Sequence, residues 1–209
     1  MAAAFPSRTS RVCRVGVFLF ASLRFLAAQV HPHLTVVMDF RGPYSQPAVR
    51  EMQHEAEGIL SSSGLSLDWR LSGQAPHETY DDLVVVRFKG DCRLTPAPPI
   101  YDELGPLAST YVADGAVQPF SDVACDKITA SVRSAIWGKD FARGDMLLGR
   151  ALGRVLVHEL VHMLTRSERH ATEGVARPAL SASQLTAASL RLTSADLELL
   201  RSYAAATRP

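Results

Sequence analysis

The chain has 209 residues, of which 47% are hydrophobic and 21% charged, and its formal net charge is +1 at pH 7. This length and composition fit one compact domain with a full hydrophobic core and exclude a disordered or fibrous chain. A nucleic-acid-binding protein usually carries a basic patch or stripe, and no basic cluster occurs after residue 28. We therefore expect no nucleic-acid partner.

The first 28 residues have the pattern of a secretory signal peptide. Arg8, Arg11 and Arg14 precede an apolar stretch from Val15 to Leu23, and small residues follow at positions 27 and 28. A positive start, a short apolar stretch and small residues at its end are typical of export signals. The stretch is too short to span a bilayer comfortably. An uncleaved anchor and an ordinary buried N-terminal segment are the alternatives.

We thus predict a signal peptide at residues 1–28 and a single domain over residues 29–209. Removal of residues 1–28 takes away four arginines and no acidic residue, which changes the formal net charge from +1 to −3. The prediction implies a secreted or periplasmic protein with no stable membrane insertion after cleavage.

Two cysteines remain in the predicted mature chain. Cys13 lies within the signal, which leaves Cys92 and Cys125 as the pair available for a disulfide. An oxidising compartment favours joining them. The alternative is two buried free thiols.

The first half of the domain predicts a sheet layered with helices. His33–Phe40 is a β-branched run suited to a buried strand, and Pro47 opens a segment with apolar residues at helical spacing that ends at residues 61–64. Residues 65–71 and 84–89 alternate apolar and polar side chains, as strands do. This succession indicates an α/β (α+β) fold, but the order and direction of the strands do not follow from it.

A loop and a hairpin are predicted next. Asp91–Pro106 is rich in proline and cannot supply the donors of a central strand, so it is predicted as a long surface loop. In Ser109–Asp126, the dipeptide Asp114-Gly115 between strand-like stretches predicts a β-hairpin. Pro119 favours an edge strand over an interior one.

A long, almost wholly apolar helix is predicted from Met146, with Asp145 as its N-cap and its end near residues 165–167. Apolar residues occur nearly all round it, as in a buried helix. Arg150 and Arg154 are expected either to mark its one wet side or to reach neighbouring carboxylates.

This helix contains the sequence His158-Glu159-Leu160-Val161-His162. Two imidazoles four residues apart project from one helix face, so both can bind one metal ion. In the H-E-x-x-H arrangement the histidines bind zinc and the glutamate accepts a proton from the bound water. Buried imidazoles without partners would cost about 1–3 kcal/mol each. The alternative is that the three residues are hydrogen-bonded structural groups.

A catalytic zinc takes three protein ligands and leaves a fourth position to water. His170 is the predicted third ligand, since the chain can turn back toward the metal once the helix ends. Glu168 and Glu173 are the competing candidates. Three neutral ligands leave the ion the net charge that lowers the pKa of its water toward 7.

These residues resemble the metzincin clan of zinc metallopeptidases, whose pattern is H-E-x-x-H-x-x-G-x-x-H followed by a turn that contains methionine. The stretch VLVHELVHMLTRSERHATEGVARP is more closely similar to small exported bacterial proteins of uncharacterised function, with a longer gap before the third histidine and a Gly-(Ile/Val)-x turn at Gly174. The specific resemblance covers about residues 108–190.

The resemblance implies a small mixed sheet packed with helices, including a buried active-site helix, and a peptide or protein substrate. It also implies an edge strand above the cleft, at Ser109–Ala113 or Val117–Val123, that pairs with the substrate. Two departures stand out. Thr165 replaces the clan's glycine and the third histidine comes two residues late, while Val175 or Ala176 occupies the place of the turn methionine.

Two capping boxes, at residues 181–184 and 193–196, each predict the start of a helix. Tyr101, Tyr111 and Tyr203 are candidates to donate to a developing oxyanion, with side-chain packing as the alternative. The predicted function is zinc-dependent peptide hydrolysis with Glu159 as general base and Zn²⁺ held by His158, His162 and His170. The alternative is an exported binding or structural protein that retains the zinc site without proteolysis.

Overall fold

The computed structural model of the chain describes residues 1, 33–73, 80, 82–96, 105–136 and 141–207. The predicted signal peptide, the middle of the predicted proline-rich loop and Tyr101 lie outside the described residues. None of the helices in the described part combines the length and apolar character that a bilayer span requires.

The described residues form one five-stranded sheet and five α-helices. In chain order the elements are β1 (His33–Phe40), α1 (Gln46–Leu60), β2 (Ser66–Leu71), β3 (Leu83–Lys89), β4 (Ala108–Ala113), β5 (Ala116–Ala124), α2 (Cys125–Ile136), α3 (Gly144–Thr165), α4 (Ala182–Thr186) and α5 (Ser194–Ala206). The strand order is β2-β1-β3-β5-β4. Only β4 runs antiparallel to its neighbour in this sheet. The predicted class, a mixed sheet packed with helices, is confirmed.

Local sequence signals account for most element boundaries. Strand β1 has the predicted bounds, and the Ser45 side chain caps α1 just before its proline. At the hairpin, Asp114 and Gly115 adopt φ of 52° and 74°, the left-handed pair that a tight two-residue turn requires. Both predicted capping boxes are present, at the starts of α4 and α5.

The prediction that Pro119 lies in an edge strand is wrong. It belongs to β5, which lies between β3 and β4, whereas β4 forms the edge. The pairing of β5 with β3 begins only at Phe120, and the register with β4 shifts between Thr110 and Val112. A proline is tolerated at this irregularity because the ladder needs no donor there.

Helix α3 starts slightly earlier than predicted. Its N-cap is Arg143, so Asp145 is not the cap but lies in the first turn, where a carboxylate interacts favourably with the helix dipole. The helix ends at Thr165, as predicted, and most of its residues are buried. Helix α2 was not predicted, although Ile128, Val132 and Ile136 recur every four residues and are all buried.

Helix α3 crosses α1 at two glycines. A Cβ added at Gly149 would collide with the Ala48 carbonyl oxygen, and one at Gly153 would lie 2.8 Å from the Met52 carbonyl oxygen. The two helix backbones approach closely only because both positions lack a side chain. This close contact fixes the position of α3 relative to α1.

Arg154 holds α3 to two other elements. Its side chain is fully buried, and its Nε donates to Glu55 Oε1 on α1 at 2.7 Å. One terminal nitrogen donates to the Ala187 carbonyl oxygen, just after α4, at 2.9 Å. Of the two predicted roles for Arg150 and Arg154, the contact with a carboxylate is therefore confirmed for Arg154.

Cys92 and Cys125 lie at disulfide-bonding distance, with Cα atoms 4.9 Å apart. Cys92 follows β3, and Cys125 is the first residue of α2. A bond between them ties the end of one central strand to the helix that leaves the next strand.

Candidate metal centre

Three histidines converge at the C-terminal half of α3. His158 and His162 lie one turn apart on the helix, and His170 follows its end. The ring centroids lie 4.8 Å apart for His158 and His162, 5.2 Å for His158 and His170, and 4.7 Å for His162 and His170. One ring nitrogen from each residue can be chosen so that all three lie within 4.8 Å of one another. Neither Glu168 nor Glu173, the competing candidates, belongs to this group.

The two helical histidines are held by backbone carbonyls. His158 Nδ1 lies 3.0 Å from the Val175 carbonyl oxygen, and His162 Nδ1 lies 2.7 Å from the Ser167 carbonyl oxygen. A carbonyl oxygen only accepts hydrogen bonds, so each Nδ1 must carry the proton. In the neutral rings both Nε2 atoms are then acceptors.

These two Nε2 atoms face each other at 3.1 Å. Two lone pairs at that separation repel unless a cation or a proton lies between them. Burial lowers the pKa of His158, which disfavours the proton. The arrangement therefore fits a metal ion, and three imidazoles are a donor set typical of zinc.

The turn at Gly174, which follows His170, supports the side chain of His158. Gly174 adopts φ of 74°, and the Val175 N–H donates to the Arg191 carbonyl oxygen at 3.0 Å. The Ala171 N–H donates to the Ala176 carbonyl oxygen at 2.9 Å. Val175 thus supplies a backbone acceptor to His158 and a buried apolar side chain.

The helix exit explains the long spacing to His170. Arg166, one residue after Thr165, adopts the left-handed conformation with φ of 49°. Its N–H bonds to the His162 carbonyl oxygen, and the Thr165 hydroxyl donates to the Val161 carbonyl oxygen at 2.7 Å. Helices commonly end with one left-handed residue. The reversal that a glycine would provide earlier is made here at Arg166, and His170 returns to the other two histidines.

Glu159 lies between the histidine pair and the sheet. Its side chain is buried, and Oε2 accepts hydrogen bonds from the Thr110 hydroxyl at 2.7 Å and the Ser121 hydroxyl at 3.4 Å. Burial raises the pKa of Glu159, and the Thr110 hydrogen bond opposes that rise. A carboxyl group with a raised pKa is suited to proton transfer near neutral pH.

Thr110 and Ser121 were not identified from the sequence. They lie opposite each other on β4 and β5, on the face that packs against α3. The sequence does show hydroxyl residues in each strand of the predicted hairpin. Which of them lie on the face that packs against the helix depends on the register of the two strands. The sequence does not specify that register.

The histidines open into a cleft of about 670 Å³. Its lining includes residues 105–110, which lead into and begin β4, and residues 177–180, which follow the Gly174 turn. Leu107, Val155 and Leu180 supply apolar surface. Among the described residues, the charged side chains that line the cleft, apart from the histidines, are Glu159, Glu168 and Arg177.

Neither of the described candidate tyrosines lines this cleft. The Tyr111 hydroxyl donates to Asp122 Oδ2 at 2.6 Å. The Tyr203 hydroxyl donates to Asp82, and burial raises the pKa of Tyr203. Both hydroxyls donate to carboxylates and neither lines the cleft, so the structure does not place them to donate to an oxyanion there.

Comparison of the chain with protein-family models and with curated proteins found no match. The resemblance to metzincins therefore rests on the sequence motif alone.

Proposed function

We propose that the chain is a zinc-dependent peptidase that hydrolyses peptide bonds with Glu159 as general base. The observation that carries the proposal is the pair of Nε2 lone pairs of His158 and His162, 3.1 Å apart in a buried helix and adjoined by His170. A metal ion satisfies these atoms, and Glu159 follows His158 directly in the chain.

His158, His162 and His170 would hold the zinc. When bound, zinc supplies a Lewis acid that polarises a substrate carbonyl and makes water more acidic. Glu159 accepts a proton from the attacking water and later passes it to the leaving amine. The Thr110 hydroxyl holds Oε2, which leaves Oε1 as the oxygen available for the proton.

The edge of the sheet supports a peptide as substrate. Among the described strands β4 pairs only with β5, and four residues of β4 line the cleft. An extended peptide can add to such an edge through main-chain hydrogen bonds. It would then lie beside Glu159 and the histidines. Strand β4, Ala108–Ala113, is the first of the two segments that the sequence proposed for this role.

The test combines metal analysis with peptide hydrolysis. We expect the parent to retain zinc after dialysis and to cleave a casein or mixed-peptide substrate. Glu159→Gln should retain zinc and lose about 10²–10⁴-fold in turnover, as expected for loss of a general base. Glu168→Gln, a matched change at an exposed acidic residue in the same cleft, should retain both properties.

Two results would overturn the proposal. Hydrolysis by Glu159→Gln at the parent rate would remove Glu159 as the base. A zinc-loaded parent that cleaves none of a broad peptide library would favour the alternative function, an exported binding or structural protein with a zinc site. The features that favour this alternative are the absence of a turn methionine at Val175 or Ala176 and the displaced third histidine, His170.

A further inference from the structure

Arg177 is a charged side chain in the wall of the cleft that the proposed chemistry does not use. It lies two residues after Val175, whose carbonyl oxygen holds His158. The Val175 N–H and the Ala176 carbonyl oxygen are both hydrogen-bonded to neighbouring backbone. The backbone that leads into Arg177 is therefore fixed relative to the metal centre.

Arg177 is partly exposed, and its guanidinium forms no hydrogen bond or ion pair with another residue in the described part of the chain. Its Nε is buried from solvent and forms no hydrogen bond there. The two acidic residues that line the same cleft, Glu159 and Glu168, form no ion pair with it. A buried donor of a charged group that stays unpaired costs more than a neutral one. The side chain as a whole is partly exposed and lines the cleft, so a ligand there can contact the rest of the guanidinium.

The chemistry of that ligand follows from the donor. A guanidinium is planar and presents parallel N–H groups that match the two oxygens of a carboxylate. Among the described residues of the cleft wall the other charged side chains are acidic, so Arg177 is the described side chain there that can attract an anion once the histidines hold their metal. We propose that Arg177 binds a carboxylate of the peptide substrate and makes the enzyme selective for acidic peptides.

This inference rests on the proposed peptidase function. The carboxylate can come from a Glu or Asp side chain near the scissile bond or from the C-terminus of the peptide. Both sources present the same group to Arg177. Each differs from a neutral peptide by one charge-assisted hydrogen-bonded contact, which corresponds to roughly tenfold or more in kcat/KM.

The experiment uses fluorescence-quenched peptide substrates that differ at one position. That position is moved along the peptide on both sides of the scissile bond. One series carries Glu, Gln or Lys there with an amidated C-terminus, and a second carries Gln with a free C-terminus. The parent should cleave the best Glu peptide or the free-acid peptide at least about tenfold faster than the neutral amide. Arg177→Gln should abolish that ratio, and Arg177→Glu should shift the preference to Lys.

Two controls separate selectivity from folding. Arg50→Gln removes an exposed arginine on α1 that does not line this cleft and should leave the ratio unchanged. The neutral peptide serves as an internal reference, because each variant is judged by its ratio of acidic to neutral peptide cleavage and not by its absolute rate. A thermal melt of each variant confirms that its fold is intact.

Binding separates failure of this inference from failure of the proposed function. Zinc-loaded Glu159→Gln should bind the acidic peptide more tightly than the neutral one, and the added change Arg177→Gln should remove the difference. If no variant cleaves any peptide yet this binding difference holds, the peptidase proposal fails and the role of Arg177 stands. A parent that cleaves and binds acidic and neutral peptides equally overturns the role of Arg177 alone.

Discussion

The helical histidines and the third histidine are held in different ways. His158 and His162 lie on a buried helix, and each Nδ1 bonds to a backbone carbonyl. His170 is exposed and has no hydrogen bond to another described residue. The first two imidazoles are therefore oriented before any ion binds, whereas the third can adjust to it. Outer partners of this kind fix the tautomer and direction of metal-binding imidazoles.

The sharpest test of this comparison removes one ligand from each group. We expect His162→Ala to lower zinc affinity by more than the roughly 10–100-fold that loss of an outer partner costs. His170→Ala should lower it less, because the oriented pair remains and water can occupy the vacated position. Competition with a chelator measures the zinc dissociation constant of each variant. Equal losses for the two variants would show that orientation of the pair contributes nothing.

The next prediction concerns the support of His158. Gly174→Ala places a Cβ 2.5 Å from the Arg191 carbonyl oxygen at a φ of 74°. We expect a loss of about 1–3 kcal/mol in the free energy of unfolding from backbone strain. Zinc affinity should also fall by about 10–100-fold, because the Val175 carbonyl shifts away from His158.

Gly64→Ala is the matched control for this change. Gly64 also has positive φ, 83°, but no neighbour lies within 4 Å of its added Cβ. It should reduce stability by about 1 kcal/mol and leave zinc affinity unchanged. Chemical denaturation and chelator competition give the two quantities. Equal effects of the two variants on zinc would contradict a supporting role for the turn.

A smaller effect on catalysis is expected when Glu159 loses its hydrogen bond from Thr110. Thr110→Val removes the hydroxyl that donates to Glu159 Oε2 while it keeps the shape of the side chain. We expect kcat to fall about tenfold, as for loss of a hydrogen bond to a charged group, with zinc content unchanged. A fall in zinc content instead would place Thr110 in metal binding.

The smallest effect is predicted on the outer face of β5, where Asp122 follows Ser121. Burial raises the pKa of Asp122, but contacts from Lys89 and Tyr111 outweigh it and hold the pKa below the usual range. A lowered pKa stabilises the fold above the unfolded-state value of about 4 and ceases to do so as the pH falls through the folded-state value.

Asp122→Asn should therefore cost about 1 kcal/mol at neutral pH, because the partner cations are partly exposed. The cost should begin to fall below pH of about 4 and vanish once the pH lies below the lowered folded-state pKa of Asp122. Unfolding by urea at several pH values measures it. Zinc affinity should not change, and a change would show that the sheet's outer face also orients the histidine pair.

Features that depend on local spacing are predicted from the sequence, whereas contacts between residues distant in the sequence are not. Helix α3, its end and its histidine pair follow from local spacing, and the two capping boxes follow from residues three apart. The contacts of Glu159 join residues 49 and 38 positions apart. Such pairs depend on strand order and register, which local patterns leave open.

Gly149 and Gly153 show the same limit. In the sequence they are two residues that weaken a helix. Their value becomes visible only when α1 is found against them. Arg154 is similar, because its four-residue spacing from Arg150 could indicate a wet side until Glu55 and the end of α4 are found around it.

The left-handed Arg166 has a consequence for how related chains are sought. A search pattern that requires glycine three residues after the second histidine rejects this chain at Thr165. The structure meets the same geometric need one residue later with an arginine. A pattern could instead require a left-handed residue at the end of the helix and allow a variable interval before the third histidine. Such a pattern would group this chain with others whose helix ends in the same conformation but with different residues.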